Sequence, residues 1–107
     1  MASNLEMAFL YHWRSLGGPV LAREARFALP RKWRFDFSHL PTKVAIEVDG
    51  GVWSRGRHVR GAGYEADQTK ANAAASMGWT VFRVTGGMLR KDPVGALTPI
   101  METIRDR

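Results

Sequence analysis

The chain has 107 residues, enough for one domain with a modest core, and we treat residues 1–107 as a single domain. It has no cysteine, which excludes a disulfide framework and cysteine-based zinc sites. No apolar run approaches the roughly 18 residues of a membrane span, and the first residues lack the apolar stretch of a signal peptide. We therefore expect a cytoplasmic protein without a membrane partner.

The charge of the chain favours a polyanionic partner. Its formal net charge is +6 at pH 7, and between Arg14 and Arg60 ten lysines and arginines accompany only four acids. A solvated basic surface is the simpler alternative, because many basic proteins have one. However, three of those four acids are Asp36, Glu47 and Asp49, and acids clustered within a basic segment are poorly explained by solubility alone.

Residues 3–18 are predicted to form a first helix. Ser3 and Glu6 have the spacing of a capping box, and a mainly apolar stripe follows them until a Gly-Gly-Pro run ends the helix. Glu6 has two interpretations: it caps this helix, or its carboxylate faces a functional site.

A β-hairpin with a tight Pro-Thr turn is predicted for residues 33–49, after a first strand over residues 20–29. Because residues alternate between the two faces of a strand, Asp36, Glu47 and Asp49 share one face. Three neighbouring carboxylates repel each other unless protons or a cation neutralise them. Hard cations such as Mg²⁺ prefer oxygen ligands, so the pattern predicts a metal site.

Residues 52–63 are predicted to form an irregular loop, because they contain three glycines and no periodicity. Basic side chains together with a tryptophan on a glycine-rich loop indicate contacts to a substrate. A solvated surface loop is the alternative. His58 is a candidate for a general base or for a phosphate contact, although a lone loop histidine more often has neither role. The loop contributes four candidates for contacts to phosphates: Arg55, Arg57, His58 and Arg60.

The remaining sequence predicts a strand–helix–strand unit. A helix over residues 64–77 leads to a central, buried strand over residues 79–85, parallel to the second hairpin strand with a right-handed crossover. A Gly-Gly turn then precedes a last helix from an Asp92 N-cap to about residue 105. The element order α-β-β-β-α-β-α predicts an α/β fold class, an α+β arrangement with a mixed sheet. Five apolar residues of the last helix are expected to face inward: Val94, Leu97, Ile100, Met101 and Ile104.

This order and several motifs resemble the PD-(D/E)XK nuclease superfamily, and within it short phage and bacterial nucleases of the very-short-patch-repair-like group. The resemblance covers nearly the whole chain and implies a restriction-endonuclease-like core. The motifs that carry it are residues 34–37 (RFDF), 44–51 (VAIEVDGG), 56–58 (GRH), 64–70 (YEADQTK) and 78–83 (GWTVFR).

The resemblance implies a set of metal ligands. Asp36 and Glu47 would be the metal-binding acids, with the backbone carbonyl of Val48 as a further ligand. Asp49 stands where the superfamily pattern has a lysine, so the sequence departs from the pattern at this position, and Asp49 is a further candidate ligand.

The missing lysine has a candidate replacement on the following helix. Some members of the superfamily carry the lysine there, which points to Lys70, with Gln68 as a partner. An ordinary surface lysine is the alternative. Glu6 resembles a helix glutamate that several branches carry near their site.

The activity implied is metal-assisted hydrolysis of a DNA phosphodiester with Mg²⁺ or Mn²⁺. Since the sequence has no recognition helix or zinc finger, we expect selection of a DNA structure, such as a junction, branch, mismatch or end. A homodimer would suit paired cuts, and a phage origin would place the protein in the cytoplasm of a bacterial host. Basic side chains would position the phosphates: Arg31, Lys32, Arg34, Arg55, Arg57 and Arg60.

Two other classes of function remain open. The chain could be a nucleic-acid-binding module that has the fold but does not cut, in which case metal should not affect its stability. It could also be a phage protein that uses its basic face on a host protein, in which case DNA binding should depend weakly on salt.

Overall fold

The computed structural model describes residues 3–50 and 62–107, and its centre is a four-stranded mixed sheet. The strands lie across the sheet in chain order: β1 (Ala22–Arg23), β2 (Phe37–His39), β3 (Val44–Asp49) and β4 (Thr80–Thr85). Neighbouring strands pair antiparallel from β1 to β3, whereas β3 and β4 are parallel, as the strand–helix–strand pattern predicts.

The part of the chain that the structure describes contains four α-helices, which makes the protein a mixed α+β protein. None of these helices has both the length and the apolar character needed to cross a bilayer. A short 3₁₀ turn, Leu40–Thr42, joins β2 to β3 where the tight turn was predicted. The helices are α1 (Asn4–Ser15), α2 (Ala62–Ser76), α3 (Gly86–Lys91) and α4 (Pro93–Asp106).

Short polar side chains begin α1 and α4 as predicted. Ser3 Oγ accepts a hydrogen bond from the Glu6 N–H at 3.1 Å, and Asp92 Oδ1 accepts one from the Gly95 N–H at 2.9 Å. Each satisfies an N–H group that the first turn of a helix leaves without a partner. The Glu6 side chain, by contrast, reaches Arg23 on β1.

The Gly-Gly turn predicted after β4 is wrong, because Gly86 and Gly87 begin helix α3. Thr85 supplies the reason: its Oγ1 accepts a hydrogen bond from the Met88 N–H at 3.1 Å and caps the helix. The element order therefore has one more helix than predicted, directly before α4.

The first predicted strand, over residues 20–29, is much shorter in the structure. Only Ala22–Arg23 pairs regularly with β2, and Arg26 forms an isolated bridge with Arg34. Glu24 lies between them with a φ of 51°, a left-handed conformation that breaks the extended backbone.

Helices α1, α3 and α4 pack on one face of the sheet and form the main core. The buried stripe of α4 begins at Leu97, so Val94, predicted to face inward, is 53% exposed. The other predicted inward residues of α4 belong to the core or pack against it. The largest fully buried side chains here are Trp13, Phe9, Phe37, Ile46, Leu97 and Ile100.

Helix α2 covers the opposite face through its alanines, as predicted. Ala74 is buried against Ala45 of β3 and against Phe35. The backbone bends at Asp36, so Phe35 belongs to this cluster and Phe37 to the main core, although strict alternation predicted one face for both.

The strand β4 was predicted to be central in the sheet, and this prediction is wrong. Within the described sheet β4 is an edge strand, paired only with β3.

Candidate active site

The register of the hairpin brings Asp36 and Glu47 together. The last paired residues of the hairpin are Phe37 and Ile46, and Asp36 and Glu47 are their neighbours in the chain. The Asp36 N–H donates to Glu47 Oε2 at 3.3 Å, and the Val48 N–H donates to Asp36 Oδ2 at 2.8 Å. Two of the carboxylates predicted as metal ligands are therefore adjacent and held by the backbone of the opposite strand.

Helix α2 adds Lys70 to this pair. Its Nζ lies 2.8 Å from Glu47 Oε1 and donates a second hydrogen bond, at 2.7 Å, to the Arg34 carbonyl. The ammonium also lies 5.8 Å from the centroid of the Phe35 ring. Lys70 thus contacts a candidate metal ligand instead of extending from the helix surface.

Burial and neighbouring charges act in opposite directions on Glu47. Burial raises the pKa of its carboxyl above the ordinary glutamate value and is the largest effect. The hydrogen bond and positive charge of Lys70 lower this pKa, whereas the negative charge of Asp36 raises it. The net direction is upward, because the effect of burial exceeds that of the Lys70 contact.

These residues line a cavity of about 510 Å³ between α2 and the sheet. Sequence reasoning missed two of its charged residues, Asp67 and Arg83. Asp67 precedes Lys70 by three positions and so lies on the same helix face, which was a usable signal. Arg83 follows from the pairing of β3 with β4, where it is the register partner of Glu47. Among the described residues, six charged ones line the cavity: Asp36, Glu47, Asp49, Asp67, Lys70 and Arg83.

Asp49 lines this cavity but does not complete a three-carboxylate cluster. Within residues 3–50 and 62–107 no group of three His, Cys, Asp or Glu side chains is arranged to hold a metal ion. Asp49 is two positions beyond Glu47 on the same strand, and two residues of a strand span about 6.6 Å. The three predicted acids line the same cavity, but in the described part of the chain they do not form a cluster arranged to hold a metal ion.

The donor set fits a hard divalent cation with two protein carboxylates. Mg²⁺ usually takes one or two carboxylates and completes its shell with water and substrate oxygens. Asp36 and Glu47 are two adjacent carboxylates of the kind such a cation binds. Because the N–H and C=O of one strand residue point to the same side, the Val48 carbonyl lies on the side where its N–H meets Asp36.

Two predicted site residues lie away from this group. Glu6 on α1 pairs with Arg23 at 3.3 Å, and it does not line the cavity. Gln68 is exposed on α2 and does not line it either, because it is two positions from Lys70 and so points to a different side of the helix.

The basic residues before the site are exposed. The Arg31 guanidinium lies 4.4 Å from the centroid of the Trp33 ring, and Lys32 is exposed beside it. Arg34 Nη1 lies 3.8 Å from Glu24 Oε1. The other four predicted phosphate contacts lie outside the described residues: Arg55, Arg57, His58 and Arg60.

Comparison of the chain with protein-family models, with curated proteins and with solved structures found no match.

Proposed function

We propose that the chain is a divalent-metal-dependent DNA endonuclease with a restriction-endonuclease-like core, which hydrolyses phosphodiester bonds at branched, junction or mismatched DNA. The observation that carries this proposal is the juxtaposition of Asp36, Glu47 and Lys70, which come from three different segments of the chain. Two acids and one lysine at the wall of a cavity are the components of metal-assisted phosphoryl chemistry.

Each of these residues has a distinct role in the proposed reaction. Asp36, Glu47 and the Val48 carbonyl would hold Mg²⁺ or Mn²⁺, which when bound lowers the pKa of a water and polarises a phosphoryl oxygen. Lys70 stabilises negative charge that develops on the phosphate or orients the attacking water. Because Glu47 and the Arg34 carbonyl already fix its ammonium, little rearrangement is needed as the charge develops.

The electrostatics of Glu47 support cation binding. Its carboxyl is half-buried beside the like charge of Asp36, which disfavours the ionised form. A divalent cation held by the two acids would offset this repulsion. Since metal ligands bind in their deprotonated form, metal affinity should increase as the pH rises through the range where Glu47 ionises.

The exposed basic residues support DNA as the substrate. Arg31, Lys32 and Arg34 precede Asp36 directly in the chain, and the net charge of +6 favours a polyanion. Contacts from such side chains to phosphates fix orientation but do not read bases, which is consistent with selection of DNA structure. Paired cuts on a branched substrate would use two copies of the chain.

Cleavage assays test the proposal directly. End-labelled single strand, duplex, mismatched duplex and four-way junction are incubated with Mg²⁺, Mn²⁺ or EDTA. We expect cutting that needs metal, is lost in Glu47→Gln, and is retained in the control Glu102→Gln, an exposed glutamate on α4. Failure of the folded wild-type protein to cut any of these DNAs with either metal would refute catalysis.

A binding module without catalysis is the second candidate, because both Glu47 oxygens already have protein partners. Oε1 pairs with Lys70, and Oε2 accepts from the Asp36 N–H. A ligand that binds only the native state raises its stability, so thermal unfolding with Mn²⁺ separates the two candidates. The nuclease should gain stability and lose that gain in Asp36→Asn but not in Asp106→Asn, whereas the binding module should show no gain.

A further inference from the structure

One side of the cavity is apolar and contributes nothing to metal or phosphate chemistry. Trp79 and Val81 line it from the sheet side, and α2 contributes Ala71, Ala74 and Ala75. Alanines at these positions leave space where larger side chains would fill it. The cavity therefore has a charged side, which contains Glu47 and Lys70, and an apolar side next to it.

The aromatic part of this wall is held in a defined orientation. Trp79 remains partly exposed, whereas Phe35 beside it is buried. The ring centroids of Trp79 and Phe35 are 4.9 Å apart. Phe27 stacks on the Phe35 ring, with their centroids 4.1 Å apart. The backbone N–H of Trp79 also donates a hydrogen bond to the Ala74 carbonyl at 3.0 Å, which joins the start of β4 to α2. Trp79 thus presents a pre-positioned aromatic surface to the cavity.

The size and composition of the cavity exceed what a phosphate group requires. Its volume of about 510 Å³ falls within the range of sites that bind small organic ligands, roughly 300–1,000 Å³. An apolar, aromatic surface next to the Lys70 ammonium matches a nucleotide, which has a flat base and an anionic backbone. Bases of any sequence stack on aromatic side chains, because each has a π-face.

We propose that the apolar side of this cavity takes up one unpaired base while the adjacent backbone phosphate meets the Lys70 ammonium. This inference rests on the proposed function for the identity of the polymer, and it narrows the substrate to DNA with an unpaired nucleotide. A base inside a duplex cannot enter the cavity without leaving its stack, whereas a bulged or mismatched one costs less to extrude.

Binding in EDTA tests the inference without any cleavage step. Fluorescence anisotropy compares three duplexes of one sequence: fully paired, with one extrahelical nucleotide, and with an abasic residue at the extrahelical position. We expect the extrahelical base to bind about tenfold more tightly than the abasic analogue, in line with the effect of one base–aromatic stack. Equal affinity for these two DNAs would overturn the inference, since they differ only in the base.

A matched pair of variants on α2 locates the effect. Ala75→Leu narrows the cavity from its rim and should abolish the preference for the base, whereas Ala66→Leu, an exposed alanine that does not line the cavity, should retain it. A 2-aminopurine at the extrahelical position should lose fluorescence on binding the wild-type protein, and this loss should disappear in Trp79→Leu. An unchanged preference in Ala75→Leu would place the base elsewhere and refute the site.

The two proposals can fail separately. Metal-dependent cutting together with equal affinity for the base and its abasic analogue would leave the nuclease function intact and refute the base site. A preference for the base that Ala75→Leu removes, without cutting of any DNA, would support the base site and refute catalysis.

Discussion

Lys70 Nζ lies 2.8 Å from Glu47 Oε1 although the two residues are 23 positions apart, and their contact joins α2 to the central hairpin. The same ammonium donates to the Arg34 carbonyl, so one side chain holds together three segments of the chain. Both side chains are largely shielded from solvent, with exposures of 26% and 17%. At this degree of burial, loss of either partner leaves the other poorly solvated, and both stability and the proposed chemistry should respond.

The first prediction concerns removal of the ammonium. Lys70→Met should destabilise the protein at neutral pH by about 1–3 kcal/mol, because it leaves the half-buried Glu47 carboxyl without its cationic partner. It should also raise the pKa of Glu47 further, since Lys70 lowers that pKa in the wild type. Urea unfolding at pH 7 measures the first effect, and a carboxyl titration by NMR measures the second.

The control for this prediction is Lys91→Met, an exposed lysine in the last turn of α3. It removes the same charge without leaving a buried partner and should change stability by less than about 0.5 kcal/mol. The cost of Lys70→Met should shrink as the pH falls to about 4, because Glu47 then takes up a proton. A cost that does not vary with pH would show that packing, and not the ion pair, is lost.

The second prediction follows from the raised pKa of Glu47. A carboxyl whose pKa is higher in the folded state contributes most to stability below its unfolded pKa, and this contribution is lost as the pH rises through the folded pKa. Glutamine does not titrate. The stability of Glu47→Gln relative to the wild type should therefore improve from about pH 4 to pH 7.

Unfolding free energies of both proteins across this pH range provide the measurement. Glu102→Gln, on the exposed surface of α4, should keep a nearly constant difference from the wild type over the same range. A stability difference for Glu47→Gln that moves in the opposite direction would mean that Lys70 outweighs burial and lowers the pKa of Glu47.

The third prediction compares two glycines. A Cβ at Gly18 would overlap the Trp13 indole, so Gly18→Ala should destabilise the main core by about 1–3 kcal/mol. Among the described residues, a Cβ at Gly63 in the first turn of α2 would have no neighbour within 4 Å, so Gly63→Ala should stabilise the protein by up to about 0.5 kcal/mol. Chemical denaturation of both variants checks the signs, and equal effects would contradict the close packing at Trp13.

The fourth prediction concerns the basic segment before the site. If Arg31 and Lys32 contact phosphates, replacing both with glutamine should reduce the slope of log affinity against log salt by about 1.5. Replacing Lys91 and Arg105 with glutamine removes the same charge from the exposed ends of α3 and α4 and should leave the slope nearly unchanged. Equal changes in slope for the two double variants would indicate a diffuse charge effect.

Much of the secondary structure could be predicted because it depends on residues close together in the chain. Ser3 and Asp92 begin their helices through hydrogen bonds to N–H groups three residues away, and Gly78, with a φ of 86°, follows the end of α2. Alternation along the hairpin likewise predicted that Asp36 and Glu47 share a face. Each of these features depends on local hydrogen bonds or on a strand period of two residues.

Contacts between separate elements were decided only by the tertiary structure. Nothing local distinguishes Lys70 from an ordinary surface lysine, and its contact with Glu47 exists because the alanines of α2 allow this helix to lie close to the sheet. Arg83 enters the cavity for a related reason, because the parallel pairing of β3 and β4 sets it beside Glu47. The sequence alone determined which residue types could form an acidic site. The packing of one helix against one sheet face decided which of them meet, because only packing brings distant side chains within reach of a hydrogen bond.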